Sequence, residues 1–488
     1  MSVSAATRQK SGITLSLARL AVSYVNPSAS ASTVNASAST FPASLHPDVV
    51  TLTKQCMLDT LAVTIAANGD PLVDILQDDL VEQGGSATAS VWGSKLRLPA
   101  LSAALLNGTK SHALDYDDVN FAILGHPSVA CLPPMYALAE TRPHVVTWDK
   151  FVRGFVASYE IMCRLGMLLE PDHYDGRGFH ATGTLGALGA AAGSAAALGL
   201  GEVETAHAIG NAAAQAGGLK GLFGTHCKPL HAGRAAYNGL SAARLAERGF
   251  QSRVDAIECD QGFASAHSSD FHPDRCLATP NNDLGLHLRD NLFKYHASCY
   301  LTHAPIESAL KCRSQLGYTP LVGPSAKPIG VDEIAKIKLV IDETTSRVCN
   351  IPKPTTGLEA KFSLRLTVAA ALRGVDTSRL DVWTSSLCED PALIALRDKV
   401  EIDFRKGWDP AGSKAEVEVE LTDGRVAQAA HDSSKAAENL EEQWARLEAK
   451  ATGLVQPVLG EDKAAKLVEM VKGLGTKYEV ADLKTVWE

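Results

Sequence analysis

The chain has 488 residues, 45% of them hydrophobic and 21% charged, with a formal net charge of −9. That is enough apolar material for a large core and more than one domain, and the acidic balance argues against a nucleic-acid partner. The ten cysteines are scattered without a CxxC pair, which argues against a disulfide framework or a structural zinc site. No apolar run reads as long enough to span a bilayer, so no membrane partner is expected.

No Asp or Glu precedes Asp48, whereas Arg8, Lys10 and Arg19 do, among many Ser and Ala. That is the composition of a mitochondrial transit peptide. Ile13 to Val25 nevertheless has apolar residues at helical spacing and reads as the first helix of the fold, so location stays open between cytoplasm and mitochondrion. Pro27 to Pro42 is Ser/Ala-rich and reads as a flexible surface insertion. Val49 to Ala67 follows, with Leu52, Met57, Leu61 and Ile65 at helical spacing. Ser86 to Gly93 reads as a short extended piece. Pro99 opens a helix running to Asn107, and further helices are predicted at Val129–Ala139, Trp148–Leu168, Ala181–Leu198, Glu202–Ala214 and Pro229–Arg248. Their Ala and Gly faces permit close packing.

The pattern changes near Asp290. Ile334 to Ile341, Val400 to Phe404 and Ala415 to Leu421 read as strands, and Thr422-Asp423-Gly424 as a hairpin turn into Arg425–Ala429. Helices at Thr302–Ser314 and Phe362–Leu372 lie among them. Ser433–Ala449, Gly460–Gly473 and Val480–Trp487 return to helix. The fold class is therefore mainly α with an α+β lid: a large all-helical domain (1–290 and 431–488) plus a smaller α+β domain (291–430).

Four stretches carry candidate chemistry. In Gly221–Tyr237, Lys228 precedes Pro229, read as the first helical position, and His231 follows on the same face. Lys228, the helix end and His231 can bind a carboxylate, or Lys228 is a surface lysine on an ordinary helix start. In Asn107–Val129, Asp115, Asp117 and Asp118 close an apolar helix and His126 precedes Pro127. Carboxylates beside a His can share protons for acid–base catalysis, though a magnesium site or a solvated helix end fits too. Gly176–Gly186 sets His180 before a small-residue helix, as a proton carrier or a structural His. Lys294–His303 carries His296, Cys299 and His303, without the spacing of a structural zinc motif.

Together these stretches resemble the MmgE/PrpD family. The resemblance rests on LDTLAV at Leu58–Val63, NGTKSHALDYDD at Asn107–Asp118, GHPSV at Gly125–Val129, GFHATGTLG at Gly178–Gly186, KPLHAGRAA at Lys228–Ala236, and Lys294–His303. It implies a helical domain with an α+β lid, usually as a homodimer, acting on small polycarboxylates without a redox cofactor or required metal. It suggests Asp115, His126, His180 and Lys228 as catalytic groups. His231 would help clamp carboxylates, and Cys299 and His303 would contact substrate. Where decarboxylase members carry a Thr, a His and a Tyr, this chain has Val119, Cys299 and Leu366. The resemblance thus places a lyase dehydrating a 2-methylcitrate or alkylcitrate first. A cis-aconitate-type decarboxylase comes second and a dicarboxylate epimerase third, with a non-catalytic member as the alternative of a different kind.

Overall fold

The computed structural model describes residues 11–27, 44–322, 325–409 and 411–488. The insertion expected between Pro27 and Pro42 lies, from residue 28 onward, outside the described residues. The chain forms two compact units, one from Met1–Phe293 with Ala437–Glu488 and the other from Lys294–Ala436.

The first unit is built from helices α1 (Ile13–Val25), α2 (Pro47–Ala66), α3 (Pro71–Gln83), α4 (Ala100–Ala113), α5 (Pro127–Thr141), α6 (Trp148–Leu169), α7 (Ala181–Ala197), α8 (Glu202–Ala213) and α9 (Cys227–Glu247), with a short hairpin of β1 (Ala89–Ser90) and β2 (Arg97–Leu98). The apolar spacing of α1 buries Ile13, Leu17, Ala18 and Ala21. By length and composition α2 could cross a membrane, contrary to the expectation that no run could. However, 78% of its most apolar stretch is buried inside the unit, which marks a core helix. Helix α3 was not expected. Its start signals are present, because the Asp70 carboxylate accepts from Leu72 N–H and Pro71 occupies the first turn. Helix α4 continues past Asn107, and Gly108 within it packs against Gly233 of α9. A Cβ on Gly233 would lie 2.1 Å from Thr109 Oγ1 and 2.3 Å from the Leu105 carbonyl. The two helices therefore touch backbone to backbone.

The second unit holds α10 (His303–Gln315), β3 (Ile334–Asp342), α11 (Leu364–Arg373), α12 (Pro391–Asp398), β4 (Val400–Arg405), β5 (Lys414–Leu421) and β6 (Val426–Asp432). Its sheet runs in the order β4-β3-β5-β6. Strands β3 and β4 are parallel, with Leu339 opposite Ile402, and α11 and α12 supply the crossover that parallel strands need. The other pairs are antiparallel, Leu339 facing Val417 and Val419 facing Ala427. Ala415, Val417, Val419 and Leu421 alternate inward and pack under α10, whose Ser308 hydroxyl donates to the Ala415 carbonyl.

The chain then returns to the first unit with α13 (Leu440–Leu459) and α14 (Glu461–Gly473). Helix α13 starts at Leu440 rather than Ser433 because β6 runs on to Asp432 and Asn439 is the residue that caps, accepting from the Glu441 and Glu442 N–H groups. From α13, Lys450 reaches into the core of the unit. Its ammonium donates to Asp59 Oδ1 at 2.5 Å and to the Tyr116 carbonyl at 2.7 Å, and lies 4.0 Å from the Tyr116 ring centre. Both charged groups are buried. Removing one partner strands the other, so Lys450→Met is expected to lower unfolding stability by roughly 3–5 kcal/mol in urea titrations, and Asp59→Leu/Lys450→Met to recover most of it. Equal stability of the single variant and the wild type would refute the pairing.

Candidate active site

After α4 ends at Ala113, the chain turns through Asp115, whose φ of 48° is left-handed, a conformation Asp tolerates better than most residues. The turn folds Asp117 back onto the end of its own helix. His112 Nδ1 lies 3.0 Å from each carboxylate oxygen of Asp117. His126 Nδ1 is also 3.0 Å from Asp117 Oδ2, with its ring turned off the line of a good hydrogen bond. His126 Nε2 is 3.6 Å from Asp115 Oδ1, and Lys228 Nζ is 3.0 Å from that same oxygen.

Helix starts deliver the remaining groups. His126 caps α5 and His180 caps α7, each in extended backbone. Lys228 and His231 lie at the start of α9, which begins at Cys227. Pro229 is thus the third helical residue rather than the first, still within the turn whose N–H groups need no helical partner. His180 Nδ1 and His231 Nδ1 are 3.1 Å apart, so one donates to the other. The His112 ring centre is 4.4 Å from that of His126 and 5.8 Å from that of His180. Phe223, in the loop before α9, packs edge-on against His180 at 4.9 Å and lies 5.2 Å from Lys228 Nζ. Backbone bonds from His180 N–H to the Gly218 carbonyl and from Lys220 N–H to the Gly178 carbonyl hold that loop in place.

The electrostatics follow from burial. Burial alone would raise the Asp117 carboxyl, but the His112 and His126 imidazoles outweigh it and hold Asp117 well below the usual range. Burial pushes His112 down to about 4. His180 is held well below 6.5 by burial, then by His112, Lys228 and His126. His231 is lowered by burial. An ionised Asp117 accepts, so His112 carries its proton on Nδ1 and leaves Nε2 as a bare lone pair. That Nε2 is buried without a hydrogen-bond partner among the described residues. Asp118 faces elsewhere. It accepts from the Ser128 N–H at 3.2 Å and hydroxyl at 2.5 Å, and burial pushes it up to about 7, so it anchors the start of α5.

Donor atoms of His112, Asp115, Asp117 and His126 lie within 4.8 Å of one another, a set that could hold a metal ion. The Lys228 ammonium already sits on Asp115, so a divalent cation would compete with it there. Cys299 and His303 belong to the second unit, where His303 opens α10 with its ring centre 5.0 Å from those of His296 and Tyr300. Sequence reasoning missed His112 and the pairing role of Asp117. Both lie inside the HALDYDD stretch, but their spacing of five residues is not a helical one, and only the turn at Asp115 brings them together.

The MmgE/PrpD N-terminal domain matches residues 35–276 and the MmgE/PrpD C-terminal domain residues 296–476; the chain belongs to the MmgE/PrpD family. It is 26% identical over 445 residues to cis-aconitate decarboxylase of Homo sapiens, covering 90% of each chain. It is 26% identical over 382 residues to the Mus musculus protein of the same name, covering 78% of this chain and 76% of that one. Over 215 residues, 43% of this chain and 45% of the relative, it is 30% identical to the cis-aconitate decarboxylase-like protein oryM of Aspergillus oryzae.

A buried imidazole ringed by other cationic groups favours its neutral form. As pH falls, the His180 ring is therefore expected to remain neutral past 6.5 and to protonate only well below it. The unfolded chain takes that proton near 6.5, so His180 costs stability as pH drops below that value. Ring NMR of labelled histidine checks this, and in Lys228→Met the His180 titration is expected to move upward. A His180 titration at or above pH 6.5 in the wild type would contradict the assignment.

Proposed function

We propose that the chain is a lyase acting on a small citrate-derived polycarboxylate, with dehydration of a 2-methylcitrate or alkylcitrate type of substrate as its reaction. The observation that carries this is the continuous run Lys228, Asp115, His126, Asp117, His112, with the His180–His231 pair beside it. It combines a cation with several proton carriers at clustered helix starts, whose free N–H groups favour anions.

In dehydration, a neutral imidazole takes the proton α to a carboxylate, and the electron pair left behind forms the double bond as the β-hydroxyl departs. A second imidazolium gives that hydroxyl its proton, so water leaves and the protein's proton count is unchanged. His180, kept neutral, suits the base. His126, between Asp115 and Asp117, suits the acid. Lys228 and His231 hold carboxylates and stabilise charge spreading onto them. In sequence, Val119, Cys299 and Leu366 stand where decarboxylase members carry a Thr, a His and a Tyr, which favours a less polar substrate than cis-aconitate. The names of the relatives, two of which match most of this chain, support a second reading, decarboxylation. There carbon dioxide leaves, and the carbon that keeps the electron pair takes a proton from an imidazolium.

Incubation with citrate, 2-methylcitrate and cis-aconitate, followed by mass spectrometry, separates the two. Loss of water supports the first reading and loss of carbon dioxide the second, while no turnover of any of the three counts against both. His126→Ala and His180→Ala are each expected to lower kcat by about 10²–10⁴-fold. Groups acting as a unit are non-additive, so the double variant is expected to be little worse than the worse single. Losses that multiply would make the histidines independent.

The charge balance gives a further expectation. With His112, His180 and His231 neutral, Lys228 alone faces Asp115 and Asp117 unless a histidine takes up a proton, so a polycarboxylate meets no net positive charge. Binding then requires that one or more histidines gain a proton. Calorimetric titration with citrate in two buffers of different ionisation enthalpy is expected to show net proton uptake near neutral pH, and weaker binding as pH rises. Binding without proton uptake would overturn this account.

A further inference from the structure

Apart from this cluster, α3, the beginning of α4 and one face of α9 border a half-open cavity of about 240 Å³. Leu76, Leu80 and Leu105 give it an apolar wall, and Arg234, Tyr237 and Arg244 line it from α9. These three residues fall within an arc of about 80° on the helix, at 3.6 residues per turn. The Arg234 guanidinium lies 5.9 Å from the Tyr237 ring centre. Among the described residues, neither Arg234 nor Arg244 has a carboxylate partner. Asp79 also lines it, its carboxylate accepting from Gln83 Nε2 at 2.7 Å, so the lining carries two positive charges against one negative. At 1.5 Å per residue Arg234 lies roughly 9 Å and Arg244 roughly 24 Å along the helix from Lys228, and no residue of the histidine cluster lines this place.

Arg234, exposed, and Arg244, partly buried, have no carboxylate partner among the described residues, and beside an apolar wall they suit an occupant with matching halves. We propose that this cavity binds a small amphiphilic anion, a carboxylate or phosphate ester on a short apolar chain, with Arg234 and Arg244 on the anionic group and the leucines around the chain. The cavity volume suits a molecule of that size, and guanidinium forks bind carboxylate and phosphate alike. The walls are also the two helices that carry His112 and Lys228, so an occupant touches both.

The test titrates the full-length protein with octanoate and with octyl phosphate, with octanol and inorganic phosphate as the halves of the ligand. Calorimetry is expected to show one saturable site for octanoate or octyl phosphate, and whichever binds tighter identifies the source of the anion. Each is expected to raise the melting temperature, because a ligand of the folded state must. Octanol and phosphate are expected to bind at least tenfold more weakly. Arg234→Gln/Arg244→Gln is expected to lose at least tenfold in affinity while its ligand-free melting temperature stays unchanged. Ser102→Trp, which fills the cavity and leaves both arginines, is expected to lose binding too. His180→Gln is expected to keep it, since the histidine cluster is not involved. The proposal is overturned if neither octyl compound binds, if octanol binds equally well, if the double arginine variant keeps full affinity, or if His180→Gln abolishes binding. It is also overturned if sedimentation shows a dimer that the arginine variant splits and octanoate does not, because the occupant is then a second copy of the chain.

Discussion

Burying an ionised carboxylate costs several kcal/mol unless its oxygens are paired, and Asp117 meets that requirement through His112, with the His126 ring beside it. The consequence spreads outward. Because the carboxylate must accept, His112 is fixed with its proton on Nδ1, and His126 is turned so that its other nitrogen faces Asp115. Asp115 in turn holds Lys228. One buried charge thus sets which nitrogen of His112 is left for chemistry, and it links α4, the start of α5 and, through His126 and Asp115, α9.

The backbone around Asp117 must bring helix starts unusually close together, and small residues make that possible. Helix α7, Ala- and Gly-rich, is buried along its whole length, so His180 at its cap is carried into the interior rather than to the surface. Gly108 and Gly233 let α4 and α9 meet without side chains between them, which sets the distance from Asp115 to Lys228. Lys450 fixes the other side of the loop by holding the Tyr116 carbonyl, one residue before Asp117. The loop is gripped from both flanks while its centre takes the left-handed turn.

Much of this was legible in the sequence, and the parts that were not have physical causes. Helices α5 to α9 and strands β3 to β6 announced themselves by apolar period and flanking residues. The residues Asp115, His126, His180 and Lys228 stood out because each sits at a helix end or next to glycine or proline. His112 did not, since it lies inside a helix where a lone histidine carries no pattern and its partner is reached only through a backbone turn of unusual sign. Helix α3 was passed over although Asp70 and Pro71 mark its start, because its exposed face dilutes the apolar period. The start of α9 was misplaced because proline is tolerated throughout the first turn, so Pro229 fixes the turn but not the residue. The pair of Lys450 with Asp59 could not be read at all, as no local signal connects positions so far apart.

That pair has a consequence for how the protein is made. The first unit is interrupted: its opening segment, through Phe293, leaves the ribosome long before Ala437, where the rest of the unit begins. Chains fold as they emerge, yet until α13 follows, Asp59 and the Tyr116 carbonyl have no ammonium to hold them. The loop carrying Asp115 and Asp117 is therefore completed near the end of synthesis, after the whole second unit has emerged. A truncation short of Lys450 removes the ammonium that Asp59 and the Tyr116 carbonyl share, so a loss at the end of the chain reaches the loop in its first third.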